Sequence, residues 1–218
     1  GALGATSTDA VNGSQLFATN TNVTNLSNTV SNITSGNAGI KYFHVNSGGA
    51  DSVATGGNSI AIGQSASSVG AAAIALGQNA TTGGNNSTSI GGDSKAGDKS
   101  VSLGNGANTS ASSWAVAAGI NAQVTGQWGT ALGASANVSA DNAAAIGANS
   151  VADRANTVSV GSSTSQRQIV NMAKGTADTD AVNVSQLKGV TTALGGGAAV
   201  NADGTVKAPS YTVQGQTK

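Results

Sequence analysis

One phrase of five residues recurs along the middle of the chain at a nearly constant spacing. It begins as Ser59-Ile-Ala-Ile-Gly63 and ends as Thr157-Val-Ser-Val-Gly161, with eight copies in all. The closing glycines follow one another after 14, 14, 13, 15, 14, 14 and 14 residues. A fixed period of this length predicts a repeat architecture, in which each copy forms one coil of a stack.

Each repeat has the alternation of a short β-strand. Apolar residues stand one and three positions before the closing glycine, as Ile62 and Ile60 do before Gly63, with Ala or Ser between them. A second alternating pair of small residues, such as Ala66 and Ser68, follows the glycine. Fourteen residues are too few for a βαβ unit, which needs about 30. We therefore expect two strands and two turns per coil, stacked as a parallel β-roll with the glycines at one corner.

The larger aliphatic residues of this pattern are the predicted core of the head. They are Ile60, Ile62, Ile74, Leu76, Ile90, Val101, Leu103, Leu132, Ile146 and Val160. So few large side chains do not offset the conformational entropy of ordering the whole roll, at roughly 1 kcal/mol or more per residue. We therefore expect several rolls to bury further apolar faces against one another in an oligomer.

The charge of the chain is low and balanced, with nine basic and nine acidic residues among 218. No basic patch indicates a nucleic-acid partner, and no apolar run approaches the 18 residues of a membrane-spanning helix. The absence of cysteine excludes disulfides and thiol chemistry. No signal peptide is visible and the pattern is cut at both ends, so we interpret the chain as a segment of a longer, exported surface protein that makes no membrane contact of its own.

No residue pattern predicts catalysis, a metal or a cofactor. His44 is the single histidine, and one histidine without cysteine does not make a usual zinc site, so we expect a structural role for it. Asp178 and Asp180 precede a predicted helix, where N-capping by Asp or Thr is the expected role. The glycine-rich phosphate loop and the calcium-binding nonapeptide are both absent. We therefore expect no enzyme and no cofactor.

A heptad pattern follows the first residues of the chain. Apolar or small residues step by three or four positions at Leu16, Thr19, Val23, Leu26, Val30 and Ile33. This spacing predicts the seam of a coiled coil, with Val23, Leu26, Val30 and Ile33 as its core. A helix of about 20 residues is marginal alone, so the seam also predicts partner helices.

An eight-residue phrase occurs once before this seam and once after the roll. Asp-Ala-Val-Asn-x-Ser-Gln-Leu is found at residues 9–16 and again at residues 180–187. We interpret the two copies as a modular connector whose structural residues are Asp9, Asn12, Gln15, Leu16, Asp180, Asn183, Gln186 and Leu187. A glycine-rich link and a β-hairpin turning at residues 201–204 are predicted beyond the second copy.

Together these pieces resemble the trimeric autotransporter adhesins of Gram-negative bacteria. The Ser-Ile-Ala-Ile-Gly coils resemble the YadA-like head repeat, and the eight-residue phrase resembles the neck motif of the family. Residues 41–47 resemble the family's "HANS" connector, with Val45 in place of its alanine. The resemblance implies a mainly β chain: a left-handed parallel β-roll of 14-residue coils, assembled as a homotrimer with short coiled-coil and neck segments.

The resemblance also implies a division of the chain and a location. It indicates a neck (1–16), a coiled-coil stalk segment (17–36), a connector (37–50), a YadA-like head (51–171), a second neck (172–188) and the start of a further β-rich domain (189–218). It places the protein at the bacterial cell surface, anchored to the outer membrane by a C-terminal region absent from this chain. The implied activity is attachment to host matrix proteins, cell-surface receptors or other surfaces.

Two tryptophans interrupt a column of corner residues. The position five before the closing glycine is asparagine in four coils, but Trp114 and Trp128 occupy it in two adjacent coils. One interpretation is an aromatic patch for a ligand, because tryptophan is enriched at binding hot spots. The other is a turn cover packed against a neighbouring chain. The 13- and 15-residue coils between residues 92 and 119 also predict a local irregularity there, such as a bulged loop.

Two other functions fit a roll of small residues. An ice-binding or other surface-binding solenoid would need a regular Thr-x-Thr ladder, and the threonines here are scattered. An enzyme on a β-helix would need clustered charged residues in a groove, whereas charged residues make up 8% of the chain. Non-catalytic, multivalent adhesion is the function that the sequence favours.

Overall fold

A stack of short parallel β-strands between residues 53 and 159 forms the largest part of the structure. The structure is a computed structural model, and it describes residues 5–34, 46–213 and 216–217. The chain divides into two compact units, residues 1–166 and 167–218. Helix α1 (Gly13–Thr34) and the strand stack belong to the first unit. His44 and most of the predicted connector (37–50) lie outside the described residues.

The strands of the stack alternate between two and three residues in length over most of its coils. In chain order they are β1 (Val53–Ala54), β2 (Ile60–Ile62), β3 (Ser67–Ser68), β4 (Ile74–Leu76), β5 (Thr81–Thr82), β6 (Thr88–Ile90), β7 (Lys95–Ala96), β8 (Val101–Leu103), β9 (Val116–Ala118), β10 (Gln123–Val124), β11 (Thr130–Leu132), β12 (Asn137–Val138), β13 (Ala144–Ile146), β14 (Val151–Ala152) and β15 (Val158–Ser159). The strands just before the closing glycines form one eight-stranded sheet, in the order β15-β13-β11-β9-β8-β6-β4-β2. Every pairing in it is parallel and joins equivalent residues of successive coils, so the predicted parallel β-roll is confirmed.

The two-residue strands form the opposite side of the roll and are interrupted once. They make two parallel sheets, β1-β3-β5-β7 and β10-β12-β14. Between the two sheets, Asn108 makes only isolated bridges, to Lys95 and to Gln123. The irregularity expected between residues 92 and 119 is therefore confirmed. It lies in the 15-residue coil between Gly104 and Gly119.

The corners of the roll need backbone conformations that most residues avoid. The closing glycines from Gly63 to Gly147 have φ between +102° and +144°, and the position five before each closing glycine is left-handed, with φ between +51° and +59°. A Cβ added to Gly77 would lie 2.7 Å from the carbonyl carbon and oxygen of Gly91 in the next coil. Glycine is therefore required by both conformation and coil spacing.

The interior of the roll is filled by alanine, serine and threonine. The middle residue of each long strand points inward, and from β4 to β13 these residues are fully buried: Ala75, Ser89, Ser102, Ala117, Ala131 and Ala145. Val124 and Val138 are the largest apolar side chains that are fully buried. The buried hydroxyls bond to one another, as Ser68 does to Thr82 (2.9 Å) and Ser89 to Ser94 (2.7 Å). Among the described residues, every buried polar side-chain atom has a partner.

The predicted head core is therefore wrong for the single chain. Leu76, Leu132 and Ile146 lie on the outer surface of the eight-stranded sheet and are 39%, 40% and 44% exposed. The same holds for Ile60, Ile74, Ile90 and Leu103, whereas Ile62, Val101 and Val160 are half-buried. The physical reason is size: coils this short leave room between the strands for alanine, serine, threonine and an occasional valine, so the larger isoleucine and leucine side chains point outward. Their burial between chains stays a prediction.

In its described residues, the second unit has one helix and two antiparallel pairs of short strands. Helix α2 (Val184–Leu194) is followed by β16 (Ala199–Val200) and β17 (Val206–Lys207), which pair antiparallel. The backbone N–H of Asn201 donates to the carbonyl of Thr205 (2.8 Å), so the hairpin predicted at residues 201–204 is confirmed. Strands β18 (Thr212–Val213) and β19 (Gln216–Thr217) also pair antiparallel.

The stacked corners generate a stability prediction. We expect Gly77→Ala to lower the free energy of unfolding by about 1–3 kcal/mol, because it strains the backbone and forces a Cβ onto the next coil. Gly57→Ala is the matched control, since a Cβ at Gly57 would meet nothing within 4 Å. Urea denaturation followed by circular dichroism measures both. An equal loss of unfolding free energy in the two variants would contradict the requirement for glycine at this corner.

Candidate functional site

The two tryptophans occupy equivalent corners of neighbouring coils. The pairing of Val116 with Thr130 places Trp114 and Trp128, each two residues earlier, on adjacent coils. Adjacent parallel strands lie about 4.8 Å apart. Both side chains are exposed, at 57% and 59%. The chain thus presents two large aromatic surfaces to solvent side by side.

Both tryptophans have a left-handed backbone, with φ of +58° for Trp114 and +55° for Trp128. A bulky residue is rarely found in this region, whereas asparagine enters it much more readily. Asn58, Asn86 and Asn142 meet the same requirement in other coils. Ala72 and Lys99 have the same conformation in their coils, so it belongs to the corner, and the size and exposure of the two side chains set Trp114 and Trp128 apart.

A charged pair adjoins the first tryptophan. The Nζ atom of Lys99, which holds the same corner one coil earlier, lies 4.8 Å from the ring centroid of Trp114. The same nitrogen lies 3.2 Å from a carboxylate oxygen of Asp98. Because all three side chains are exposed, the cation–π contact and the ion pair each contribute about 1 kcal/mol or less. Their main effect is to keep this edge close to neutral.

A groove of about 560 Å³ opens beside this edge. It lies against the irregular coil, where residues 110–113 add length, and small or polar residues line it, among them Thr81, Gly84, Gly97, Asp98, Ser112 and Ser113. Ser113 directly precedes Trp114 in the chain, and Asp98 directly precedes Lys99. The groove lining thus ends one residue before Trp114 in the chain, and we call these neighbouring residues the tryptophan edge (residues 97–99, 110–114 and 128).

The two copies of the repeated phrase form the same helix cap. Before α1, the side chain of Asn12 accepts from the N–H of Gln15 (2.9 Å), and the Gln15 side chain accepts from the N–H of Asn12 (3.0 Å). Before α2, Asn183 and Gln186 make the same reciprocal pair, at 3.2 and 3.3 Å. This is a capping box with asparagine at the N-cap position.

The second cap also holds the segment that precedes it. The Asn183 amide donates to the carbonyl of Met172 (3.0 Å), and Gln186 exchanges hydrogen bonds with the backbone of Gly175 (2.8 and 2.9 Å). One pair of side chains therefore both starts α2 and fixes the chain that leads to it. This arrangement is consistent with the structural role predicted for the repeated phrase.

The predicted capping role of Asp178 and Asp180 is wrong. Asp180 instead accepts from the N–H groups of Ala177 and Thr176 in the turn before the phrase (3.0 and 2.9 Å), and these bonds lower the pKa of its carboxyl. The sequence carried the correct signal, because an asparagine followed three residues later by glutamine is a capping-box pattern. In the first copy, the N–H of Asp9 donates to the Ser7 hydroxyl (3.3 Å).

The apolar residues of α1 and of the necks point to solvent in the single chain. On the predicted seam, Val23, Leu26 and Val30 are 50–65% exposed. Leu16 of the first phrase is 55% exposed, and Leu187 of the second is 36% exposed. Ile33 lies in α1, but its side chain is outside the described part of the structure.

Metal-binding clusters and membrane-spanning helices are both absent from the described part of the chain. It holds no cluster of three or more His, Asp or Glu residues able to bind a metal ion. None of its helices combines the length and apolar character needed to cross a bilayer.

Comparison with known proteins matches most of the chain. A family model for the YadA head domain repeat matches residues 49–66, 68–94, 125–150 and 139–164. A model for the coiled stalk of trimeric autotransporter adhesins matches residues 1–39 and 168–210. The crystal structure of the collagen-binding domain of the Yersinia adhesin YadA is 38% identical, with a TM-score of 0.53; the match covers 64% of this chain and 85% of that one.

Two curated relatives match shorter stretches. The trimeric autotransporter adhesin AtaA of Acinetobacter sp. (strain Tol 5) is 48% identical over 58 residues, which is 22% of this chain. The autotransporter adhesin EhaG of Escherichia coli O157:H7 is 61% identical over 41 residues, which is 17% of this chain. The chain spans only 2% and 3% of the length of these two proteins.

A parallel β-roll flanked by two helices with identical caps defines a head-and-stalk segment of a bacterial surface protein. The chain belongs to the YadA-like trimeric autotransporter adhesins. Left-handed coiling and the 14-residue coil fit this family. Neither the comparisons nor the fold favours the ice-binding alternative.

The second neck generates a prediction about α2. We expect Asn183→Ala to lower the stability of α2 by about 1–2 kcal/mol, because the N–H of Gln186 loses its acceptor and Met172 loses its donor. Asn183→Asp keeps the acceptor and loses only the Met172 contact, so its effect should be smaller. Amide hydrogen exchange along residues 184–194 measures both. Indistinguishable exchange rates in the two variants would show that the cap is not the source of the effect.

Proposed function

We propose that this chain is a head and stalk segment of a surface adhesin, which attaches a Gram-negative bacterium to host matrix proteins, cells or other surfaces. Binding is non-catalytic and multivalent. A C-terminal region beyond this segment anchors the protein in the outer membrane. The observation that carries the proposal is the 38% identity, over 64% of this chain, to the collagen-binding domain of the Yersinia adhesin YadA.

The surface of the roll suits binding by many weak contacts. Its interior consists of small residues that repeat from coil to coil, so the coils differ from one another mainly in their outward side chains. Parallel register repeats each outward position along the stack. Equivalent positions on several chains, and on many molecules per cell, convert weak contacts into strong attachment, with gains of about 10²–10⁴ over a single contact.

The same surface supports a homotrimer. The outward residues of the eight-stranded sheet form an apolar stripe along the roll, including Ile74, Leu76, Ile90, Leu103 and Ile146. An exposed stripe of this length is unusual in a monomer and marks an interaction surface. The exposed seam of α1 is a second unburied apolar surface, and a lone helix of 22 residues is only marginally stable in water. Packing three chains buries both surfaces, and Val23, Leu26, Val30 and Ile33 then form the stalk core.

The trimer is tested with two substitutions in one coil. Light scattering should give a mass of three times 20.7 kDa for the parent chain. Ile146→Lys places a charge on the apolar stripe and should shift the mass toward that of the single chain. Val151→Lys is the matched control: Val151 is similarly exposed (38% against 44%) but lies on the opposite sheet, so its variant should remain trimeric. A folded monomeric parent would contradict the trimer.

The adhesive activity is tested by deleting the roll. The parent trimer should bind immobilised collagen or another matrix protein, whereas a variant lacking residues 51–161 should not, because the helices and necks remain but the roll surface is gone. The mass of the deletion variant, measured by light scattering, controls for loss of assembly. Equal binding by both proteins would place adhesion outside the roll.

A further inference from the structure

We propose that the tryptophan edge binds a neutral oligosaccharide, with sugar rings stacked on Trp114 and Trp128 and sugar hydroxyls held in the adjoining groove. The inference rests on the proposed adhesin function and names the ligand class of one part of its surface.

The size and exposure of the tryptophans separate them from the other residues of this corner, which share their left-handed backbone. A corner that needs a left-handed backbone is satisfied by asparagine, as at Asn58, Asn86 and Asn142. A tryptophan that served packing within the chain would be buried, yet Trp114 and Trp128 are 57% and 59% exposed. Neither corner geometry nor packing within the chain accounts for two bulky side chains at these positions.

Sugar rings are complementary to such a surface. A pyranose has a face of C–H groups and a rim of hydroxyls, and the electron-rich face of an indole attracts the polarised C–H groups. Two indoles on adjacent coils extend this apolar surface along the stack over about one strand spacing, 4.8 Å. A short chain of sugars can therefore contact both rings at once.

The groove supplies polar groups for the hydroxyl rim. Its lining contains the hydroxyl residues Ser67, Thr81, Ser110 and Ser113 and the carboxylate of Asp98. Among the lining glycines, Gly83 leaves open space where a side chain would stand, so a ligand can approach its backbone closely. This combination of a few polar groups beside aromatic faces is typical of sites that fix the orientation of a small polar ligand.

The charges of the edge favour a neutral sugar over an acidic one. Lys99 is the cation nearest Trp114, and its ammonium group is paired with Asp98 at 3.2 Å. An acidic sugar would have to compete with this carboxylate. A peptide ligand is disfavoured for a different reason: Val69 is the largest apolar side chain lining the groove, so no deep apolar pocket is present there to anchor a peptide side chain.

The chain carries its own reporter for this site. It contains two tryptophans, Trp114 and Trp128, so its tryptophan fluorescence reports on this edge alone. The parent protein is titrated with short neutral oligosaccharides of hexoses and N-acetylhexosamines, with sialylated oligosaccharides and collagen as comparison ligands. We expect a saturable fluorescence change with at least one neutral oligosaccharide and none with the sialylated set.

Variants separate binding from folding. Trp114→Asn with Trp128→Asn should weaken binding to the immobilised oligosaccharide about tenfold or more. Its melting temperature should equal or exceed that of the parent, because asparagine tolerates positive φ. Trp114→Phe with Trp128→Phe keeps aromatic faces and should retain part of the affinity. Ile120→Gln is the control: it removes an exposed apolar residue from the opposite turn, where Gln64 and Gln78 stand in other coils, and should leave binding unchanged.

The outcomes distinguish this inference from the proposed function. Failure of every neutral oligosaccharide to bind, while collagen binding persists in the double asparagine variant, would overturn the sugar site and leave the adhesin function standing. Binding of collagen or of acidic sugars alone through the tryptophans would also overturn it. Loss of stability without loss of sugar binding would assign the tryptophans to packing. Absence of all binding by the parent would contradict both proposals.

Discussion

The close spacing of the two sheets governs the rest of this structure. Coils of about 14 residues with two-residue and three-residue strands leave an interior that admits methyl and hydroxyl groups and little more. Ala75, Ala131 and their equivalents fill it together with serine and threonine, whose hydroxyls bond to one another or to backbone carbonyls. A core of this kind gains little from hydrophobic burial per residue, so regular hydrogen bonding between coils and burial between chains must supply the remaining stabilisation.

The same restriction explains the distribution of large residues over the surface. Since isoleucine and leucine do not fit inside, the eight-stranded sheet places them outside, where they are available to other chains. The corners, by contrast, are limited by backbone conformation and not by volume, so a side chain of any size is sterically possible there once the cost of positive φ is met. The two surfaces that we propose therefore lie on different parts of one coil: the face of the long strands for assembly, and the turn for ligand binding.

Much of this could be predicted from the sequence, and the errors have physical causes. The spacing of the glycines indicates the coil length, the strand pairing and the irregular coil near Asn108. The alternation of Ile60, Ala61 and Ile62 does not reveal which side of the strand faces inward. Hydrophobicity favours burial of the isoleucines, whereas the width of the interior, which the alternation does not reveal, excludes them. The proximity of Asp178 and Asp180 to α2 favours an aspartate cap there, although Asn183, like Asn12 before α1, carries the capping-box pattern with a glutamine three residues later. The phase of Trp114 and Trp128 was readable from the repeat. Their exposure, their left-handed backbone and the adjoining groove were not, because these depend on how the corner folds.

Parallel pairing between successive coils also has a mechanical consequence. The hydrogen bonds that join β2 to β4 and β11 to β13 run along the stacking axis, so tension along that axis pulls them apart one pair of coils after another. Each released coil would lengthen the chain by about 40 Å, because roughly 14 residues at 3.3 Å each replace one strand spacing of about 4.8 Å. A roll under load would therefore dissipate force in steps of this size.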